Sequence, residues 1–438
     1  MAAKLSKFNG IFSIIINVVP FLIFPILITQ HGDVFTNIIP YAIYYAFRRS
    51  ALILFRDWEH QADQLGWLGL IAGVVGYGLG VFGQLTPLFW DLAGAGAGIA
   101  SVLYSKALSQ AKRLSNRQPR QPVQSKTGHG TQLISLLGVM ILLGIIAILK
   151  IPTVNFALML IISVLALIGY STRPFQITRP SHLHWANYGL GILLLFSMML
   201  IAIGRQQGIG QPIIWGLALL LVFLIVMIIL LAINWYNNQS STKGFRLRSM
   251  LYGACAQYWT MYSTVFIGAI YGVKLYYWVI VAYLAAILFG GLVTKLIYRL
   301  LPLSRLHINV LMIALGILMT FWLPSYFVGV FFIRSFANRE QNNTIDLYEQ
   351  TTHNYTTSYL INYYYSIAAG LVSQLVMWGS LLFFAKDTGL SKVLSAFTFK
   401  TVTGQESHAI TMTHATLACY MLLFIAYLLL TAKKQDAD

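Results

Sequence analysis

Charge is what this chain has least of. Of its 438 residues only 9% are Asp, Glu, Lys or Arg, and the acidic ones number just 12. A water-facing domain carries about a quarter charged residues, so a soluble globular protein is excluded. Cysteine is scarcer still: Cys255 and Cys419 both lie inside apolar runs and read as small core residues, not as a disulfide or redox pair. Spaced metal ligands are missing. His182/His184 and His408/His414 have separations that stack no two ligands on one helical face. No Gly-Lys-Ser/Thr loop, H-E-x-x-H or G-x-S-x-G is found, so the residues imply no metal, no cofactor and no enzyme of those kinds.

Apolar residues make up 58% of the chain, the mean hydropathy is +0.71, and apolar runs of membrane-crossing length recur throughout. A span needs about 20 residues, and only helices or closed barrels satisfy their backbone groups in hydrocarbon. Without the strict alternation of a barrel, the expected fold class is all-α and polytopic. Candidate spans begin near Ile11, Val34, Gly66, Pro87, Thr131, Thr153, Ala186, Pro212, Leu247, Tyr276, Leu306, Leu323, Ser358 and Ser407. The first follows Lys4 and Lys7 as a signal peptide would. No small-residue cleavage site comes after it, so it reads as an uncleaved span. Residues 306–336 are divided at Leu323-Pro324, because one unbroken helix there would run about 46 Å at 1.5 Å per residue.

The formal charge of +17 does not call for nucleic acid. With the N-terminus inside, the Lys and Arg residues fall on cytoplasmic loops or inner helix ends, except Lys150, Arg205, Lys274, Lys386, Lys392 and Lys400. That bias marks a lipid bilayer as the partner and places both termini in the cytoplasm. The densest basic stretch, Lys106 to Lys126, reads as a linker. The first six and last six spans repeat with an offset of about 240 residues, the mark of internal duplication. The expected organisation is a six-helix bundle over 1–171, a two-helix insertion over 172–245 and a second six-helix bundle over 246–438. In each half the third and fourth spans are joined by almost nothing: Gln84-Leu85-Thr86-Pro87 and Trp322-Leu323-Pro324.

This layout resembles the fourteen-helix branch of the major facilitator superfamily. Between its second and third helices that family carries roughly G-x-L-x-D-R-x-G-R-R. Here the first half keeps Asp63 and Gly66 in Ala62-Asp63-Gln64-Leu65-Gly66, without the arginines. The second half keeps Gly290, Leu292 and Lys295 in Gly290-Gly291-Leu292-Val293-Thr294-Lys295. The fourth span has the family's close glycines in Asp91-Leu92-Ala93-Gly94-Ala95-Gly96-Ala97-Gly98, with an aspartate near the arginine's place. The proline-glycine signature of drug antiporters is absent from 132–150. The resemblance implies a permease of the cell membrane working by alternating access. It also puts Asp91 and Arg334 in a central cavity.

Ionisable groups at membrane depth are costly and are functional candidates. Asp91, about one turn into the fourth span, reads as a proton- or cation-coupling carboxylate, a contact for a cationic solute, or an outer-end residue reaching interfacial water. Arg334, near mid-depth of the twelfth, suits an anionic headgroup, phosphate or carboxylate, or else snorkels or pairs between helices. Arg48 and Arg49, with Arg56, Asp57 and Glu59 beyond, read as an inner gate or ion-pair cluster; Asp63 and Lys295 join the gating set through the motif. Gln257, Trp259 and Tyr262 make the ninth span unusually polar and either line a cavity or bond neighbouring helices. Asn17, near Pro20, is a similar case. Tyr355, Tyr359, Tyr363, Tyr364 and Tyr365 favour an amphiphilic or lipid-like small molecule over a sugar. The residues do not fix the direction of transport; efflux is the direction carried forward. The rival reading is a membrane-embedded transferase or flippase-type protein acting on a lipid-linked substrate, which would draw on an expected loop from Glu340 to His353 with Asp346 and Glu349. A degenerate assembly factor is the third.

Overall fold

The computed structural model describes residues 2–31, 35–58, 62–117, 138, 144–146, 151–175, 184–237, 243–353, 355, 357–395 and 404–435. Every element of any length among them is helical. In chain order these are α1 Ala2–Ser6, α2 Asn9–Val18, α3 Pro20–His31, α4 Phe35–Leu54, α5 Ala62–Val81, α6 Pro87–Arg117, α7 Pro152–Tyr170, α8 Trp185–Gln207 and α9 Gly210–Asn237. They continue with α10 Lys243–Leu251, α11 Tyr258–Tyr271, α12 Val273–Leu300, α13 Arg305–Met319, α14 Leu323–Thr352, α15 Ser358–Phe384, α16 Leu390–Ser395 and α17 Gln405–Gln435. A π-helical turn, Tyr252–Gln257, joins α10 to α11.

Among the described residues, nine helices are long and apolar enough to cross a membrane, and the protein is multi-pass. Four further expected spans depart from that measure in different ways. Helix α4 contains Tyr41, Tyr44, Tyr45, Arg48 and Arg49; the expected ninth span, from Leu247, is divided among the end of α10, the π-turn and the 14-residue α11; α13 has only 15 residues; α14 is polar over its second half. The expected fifth span, from Thr131, lies outside the described residues.

The chain divides into two compact units. Unit 1 comprises Met1–Ile203, Pro212–Leu219 and Tyr355–Leu360, and unit 2 comprises Gly204–Gln211, Leu220–Asn354 and Ile361–Asp438. Each unit contains a tight helical hairpin where the sequence has almost no connector. In unit 1, α5 stops at Val81 and α6 starts on Pro87, whose fixed φ and missing N–H suit the first turn. In unit 2, α13 stops at Met319 and α14 starts at Leu323-Pro324, so the division expected in 306–336 is present. Glycine faces glycine in both hairpins. A Cβ on Gly96 would stand 2.8 Å from the Cα of Gly76, and one on Gly316 would stand 2.8 Å from the carbonyl oxygen of Gly329. Backbones at such range gain dispersion contact that any side chain would forbid.

The two fourth helices correct the sequence reading. Residues 106–117 and 340–352, expected as linker and loop, continue α6 and α14 without a break. With 31 and 30 residues these helices are about 45 Å long, well beyond the roughly 30 Å hydrocarbon layer. Residues 106–117 are rich in Ala, Leu, Gln, Lys and Arg, which favour helix by propensity; 340–352 contain Asn and Thr as well as Glu and Gln, and their helix is held by packing, with Glu340, Gln341, Thr344, Ile345, Tyr348 and Glu349 buried.

Candidate functional sites in the two units

In unit 1 the expected gating and substrate residues meet around α4. Arg48 is half-buried; its guanidinium lies 4.6 Å from the centre of the Phe21 ring and donates to the carbonyl of Asn17 at 3.3 Å. The Val18–Pro20 break between α2 and α3 brings that carbonyl and Phe21 towards α4. Arg49 is buried at 5% exposure, with its guanidinium 5.6 Å from the Tyr45 ring. Neither arginine forms an ion pair among the described residues. Asp57 turns elsewhere: it accepts from the backbone N–H of His184 at 2.8 Å and from Asn187 Nδ2 at 2.7 Å, pinning the start of α8. Tyr44, one turn before Arg48, stacks on Phe24 at 5.1 Å and meets Phe21 edge-on. The hydroxyls of Tyr44 and Tyr77 are fully buried; Arg48 lies within reach of the Tyr44 oxygen, and neither hydroxyl proton has an acceptor among the described residues.

Asp91 stands one turn into α6, half-buried, with Oδ1 covered and unpartnered among the described residues. Asp63, the aspartate of the partial motif, is ion-paired with Arg173 at 2.9 Å and lies 3.4 Å from the Tyr170 hydroxyl. It thereby ties the start of α5 to the end of α7. Lys295, its expected counterpart on α12, is exposed.

In unit 2, Arg334 is held by two tyrosines. It donates to the Tyr252 hydroxyl and lies 5.1 Å and 4.8 Å from the ring centres of Tyr252 and Tyr283. Tyr252 opens the π-turn that Gln257 closes. A π-turn leaves one carbonyl without its usual helical partner, and such turns gather at functional sites. Here the nearby Ser249 carbonyl accepts from Ser366 Oγ at 2.9 Å. The side chain of Gln257 lies outside the described residues.

Trp259 and Tyr262 surround a residue that spacing alone had dismissed. His414, on α17, is buried at 1% exposure, 4.1 Å from the Phe266 ring, 5.2 Å from Trp259, 5.8 Å from Tyr262 and 5.0 Å from Phe321. Its Nε2 lies 3.1 Å from Thr320 Oγ1, whose own proton goes to the Ile317 carbonyl at 2.6 Å. The imidazole must therefore donate from Nε2, leaving Nδ1 a bare acceptor, which has no partner among the described residues. A cavity of about 10 Å³ borders Tyr262, Phe266, Met377, Ile410 and Thr413, about the size of one water.

Two further polar features were not legible as site residues. Asn155 in α7 is fully buried with neither amide atom partnered among the described residues; an asparagine in an apolar span was the available signal. Glu340, expected on a loop, is buried in α14. It lies 2.6 Å from Arg248 Nε and accepts from Asn309 at 2.7 Å. No group of three or more His, Cys, Asp or Glu residues suits a metal among the described residues.

No family model matches the chain, and no curated protein matches it in sequence. Solved structures do match in fold. A POT family transporter in complex with a thioalcohol-conjugated peptide aligns over 99% of this chain and 96% of its own, at 15% identity and a TM-score of 0.56. A peptide transporter POT mutant in complex with sulfate aligns over 99% and 94%, at 13% identity and 0.54. A POT family transporter in complex with 5-aminolevulinic acid aligns over 98% and 96%, at 14% identity and 0.52. The chain thus shares its fold with these transporter structures.

Proposed function

We propose that the protein is a secondary active transporter of the cell membrane, with cytoplasmic termini, that moves a small or amphiphilic solute by alternating access. The observation that carries this reading is the fold shared with these transporter structures over virtually the whole chain. The paired glycine-faced hairpins support it, because they are what a duplicated six-helix bundle would leave in each half. Asp91 is the proposed coupling carboxylate and Arg334 the proposed contact for an anionic solute group. Trp259, Tyr262 and Gln257 in unit 2 and Asn17 in unit 1 are further proposed substrate residues. Asp63 with Arg173 braces the inner ends of α5 and α7, and Lys295 faces water or lipid headgroups at the matching turn. The 1–171, 172–245 and 246–438 division stands as the proposed evolutionary partition. The lipid-linked enzyme is less favoured, since Asp346 and Glu349 sit on a helix and Glu340 is taken up by Arg248 and Asn309.

The test is solute-dependent proton flux into proteoliposomes containing a pH-sensitive dye. The panel is a dipeptide, 5-aminolevulinic acid, an alkyl phosphate and an alkylammonium ion. Saturable flux with at least one of them, lost in Asp91→Asn and Arg334→Ala proteins of normal yield, is the expected outcome. Flux with none, together with unlabelled substrate failing to exchange, sinks the transporter. Cysteine labelling at Ser325 and Gly404 from outside, with Asn343 protected, is expected in parallel. Asn343 labelled from outside would refute the fourteen-span topology.

A further inference from the structure

The surroundings of Arg48 contain more hydrogen-bond donors than the described protein uses. A guanidinium offers five N–H groups, and one of those on Arg48 reaches the Asn17 carbonyl. No described carboxylate pairs with it. Tyr44 follows the same face one turn away, and Tyr77 on α5 lies within electrostatic reach of both Tyr44 and Arg48. Both phenol groups are fully buried; Arg48 lies within hydrogen-bond reach of the Tyr44 oxygen, and neither phenol proton has an acceptor among the described residues. A buried hydroxyl whose proton goes unaccepted is costly, and two in the neighbourhood of a half-exposed arginine are missing the same thing, an acceptor. Phe21 and Phe24 wall the group on one side, which strengthens any charge-assisted bond made there.

We propose that Arg48, Tyr44 and Tyr77 form an anion subsite in unit 1 that takes a carboxylate or phosphate group. Arg48 supplies paired N–H donors at the mouth, and the two phenols donate from behind. On the transporter reading, on which this role rests, the group belongs to the transported solute, which is therefore acidic or carries an acidic head. The second source of the same chemistry is the phosphate of a membrane lipid.

The experiment uses the full-length protein in phosphatidylcholine nanodiscs, with inorganic phosphate and acetate as probes against chloride at constant ionic strength. A saturable rise in melting temperature of about 2–4 °C is expected with at least one oxyanion. Arg48→Gln removes that rise, and Tyr44→Phe raises the half-saturating concentration about tenfold. If Arg48→Gln does not fold, the Tyr44→Phe/Tyr77→Phe double variant gives the same reading. Discs containing phosphatidic acid separate the sources. A rise produced by that lipid, with no addition from soluble anions, assigns a lipid phosphate; additive soluble-anion stabilisation assigns a solute. Either supports the subsite. No saturable rise in wild type, or an unchanged rise in the variants, overturns it. Anion binding without proton flux would remove the transporter and leave the subsite standing.

Discussion

The Arg248–Glu340 pair is a place where two substitutions at one interaction must have unequal costs. Glu340 is 1% exposed and Arg248 is 19% exposed. The carboxylate is also bonded to Asn309, whose own oxygen accepts from the Tyr298 hydroxyl at 2.5 Å. The network thus ties α10, α12, α13 and α14. Arg248→Met leaves a fully buried carboxylate with only the Asn309 amide and a long 3.5 Å contact from the Thr344 hydroxyl, a loss of about 3–5 kcal/mol. Glu340→Gln removes the charge and leaves Arg248 able to turn its head towards the interface. It sets one amide N–H₂ against that of Asn309, for about 1–2 kcal/mol. The double variant buries no unpaired carboxylate, so adding Glu340→Gln to Arg248→Met should restore about 1–2 kcal/mol. Sodium dodecyl sulfate titration of the purified protein in mixed micelles, followed by circular dichroism, measures all four corners of the cycle. The reasoning fails if the double variant is no more stable than Arg248→Met, or if the two single variants cost the same.

The hairpin glycines, a buried amide and the caged imidazole each carry a prediction. Gly96→Ala and Gly316→Ala should each lower stability by about 1–3 kcal/mol through overpacking, seen as a lower melting temperature in detergent. Gly291→Ala, where a Cβ meets nothing within 4 Å, should not. In unit 1, Gln110 on α6 is fully buried, donates to the Tyr355 carbonyl at 2.6 Å and accepts from the Tyr359 N–H at 3.0 Å. Gln110→Glu turns an oxygen against the Tyr355 carbonyl. Hydrogen exchange over 355–360 should quicken more than tenfold, about 1.5–3 kcal/mol of local stability; unchanged exchange would count against the contact. His414→Phe refills the aromatic cage and leaves Thr320 bonded to Ile317, costing about 1 kcal/mol or less, whereas His414→Ala opens a void worth about 3 kcal/mol. Equal melting temperatures for the two would refute that assignment.

What the sequence disclosed and what it hid divide along one physical line. Membrane crossing is a local property: twenty apolar residues announce it wherever they occur. So the spans, the breaks at Pro87 and Pro324 and the all-helical class were legible residue by residue. The polar extensions of α6 and α14 were misread because hydropathy reads only apolar content, and a polar helix gives the same signal as a loop. Arg48, Arg334, Trp259 and Tyr262 stood out because charge and hydroxyls in hydrocarbon are locally expensive. What surrounds each is not local. The ring around His414 draws Trp259 and Phe266 from α11, Phe321 from the α13–α14 turn and His414 itself from α17, and no spacing rule spans that distance. Asking which histidines pair on one helix was the wrong test, because the chemistry at His414 lies in having one nitrogen bound by Thr320 and the other left as a buried acceptor. Arg48 makes the same point for unit 1. Its charge was legible, but not the lack of any described carboxylate beside it, and that lack together with two phenol protons without a described acceptor shifts the proposed reading from gate to anion subsite.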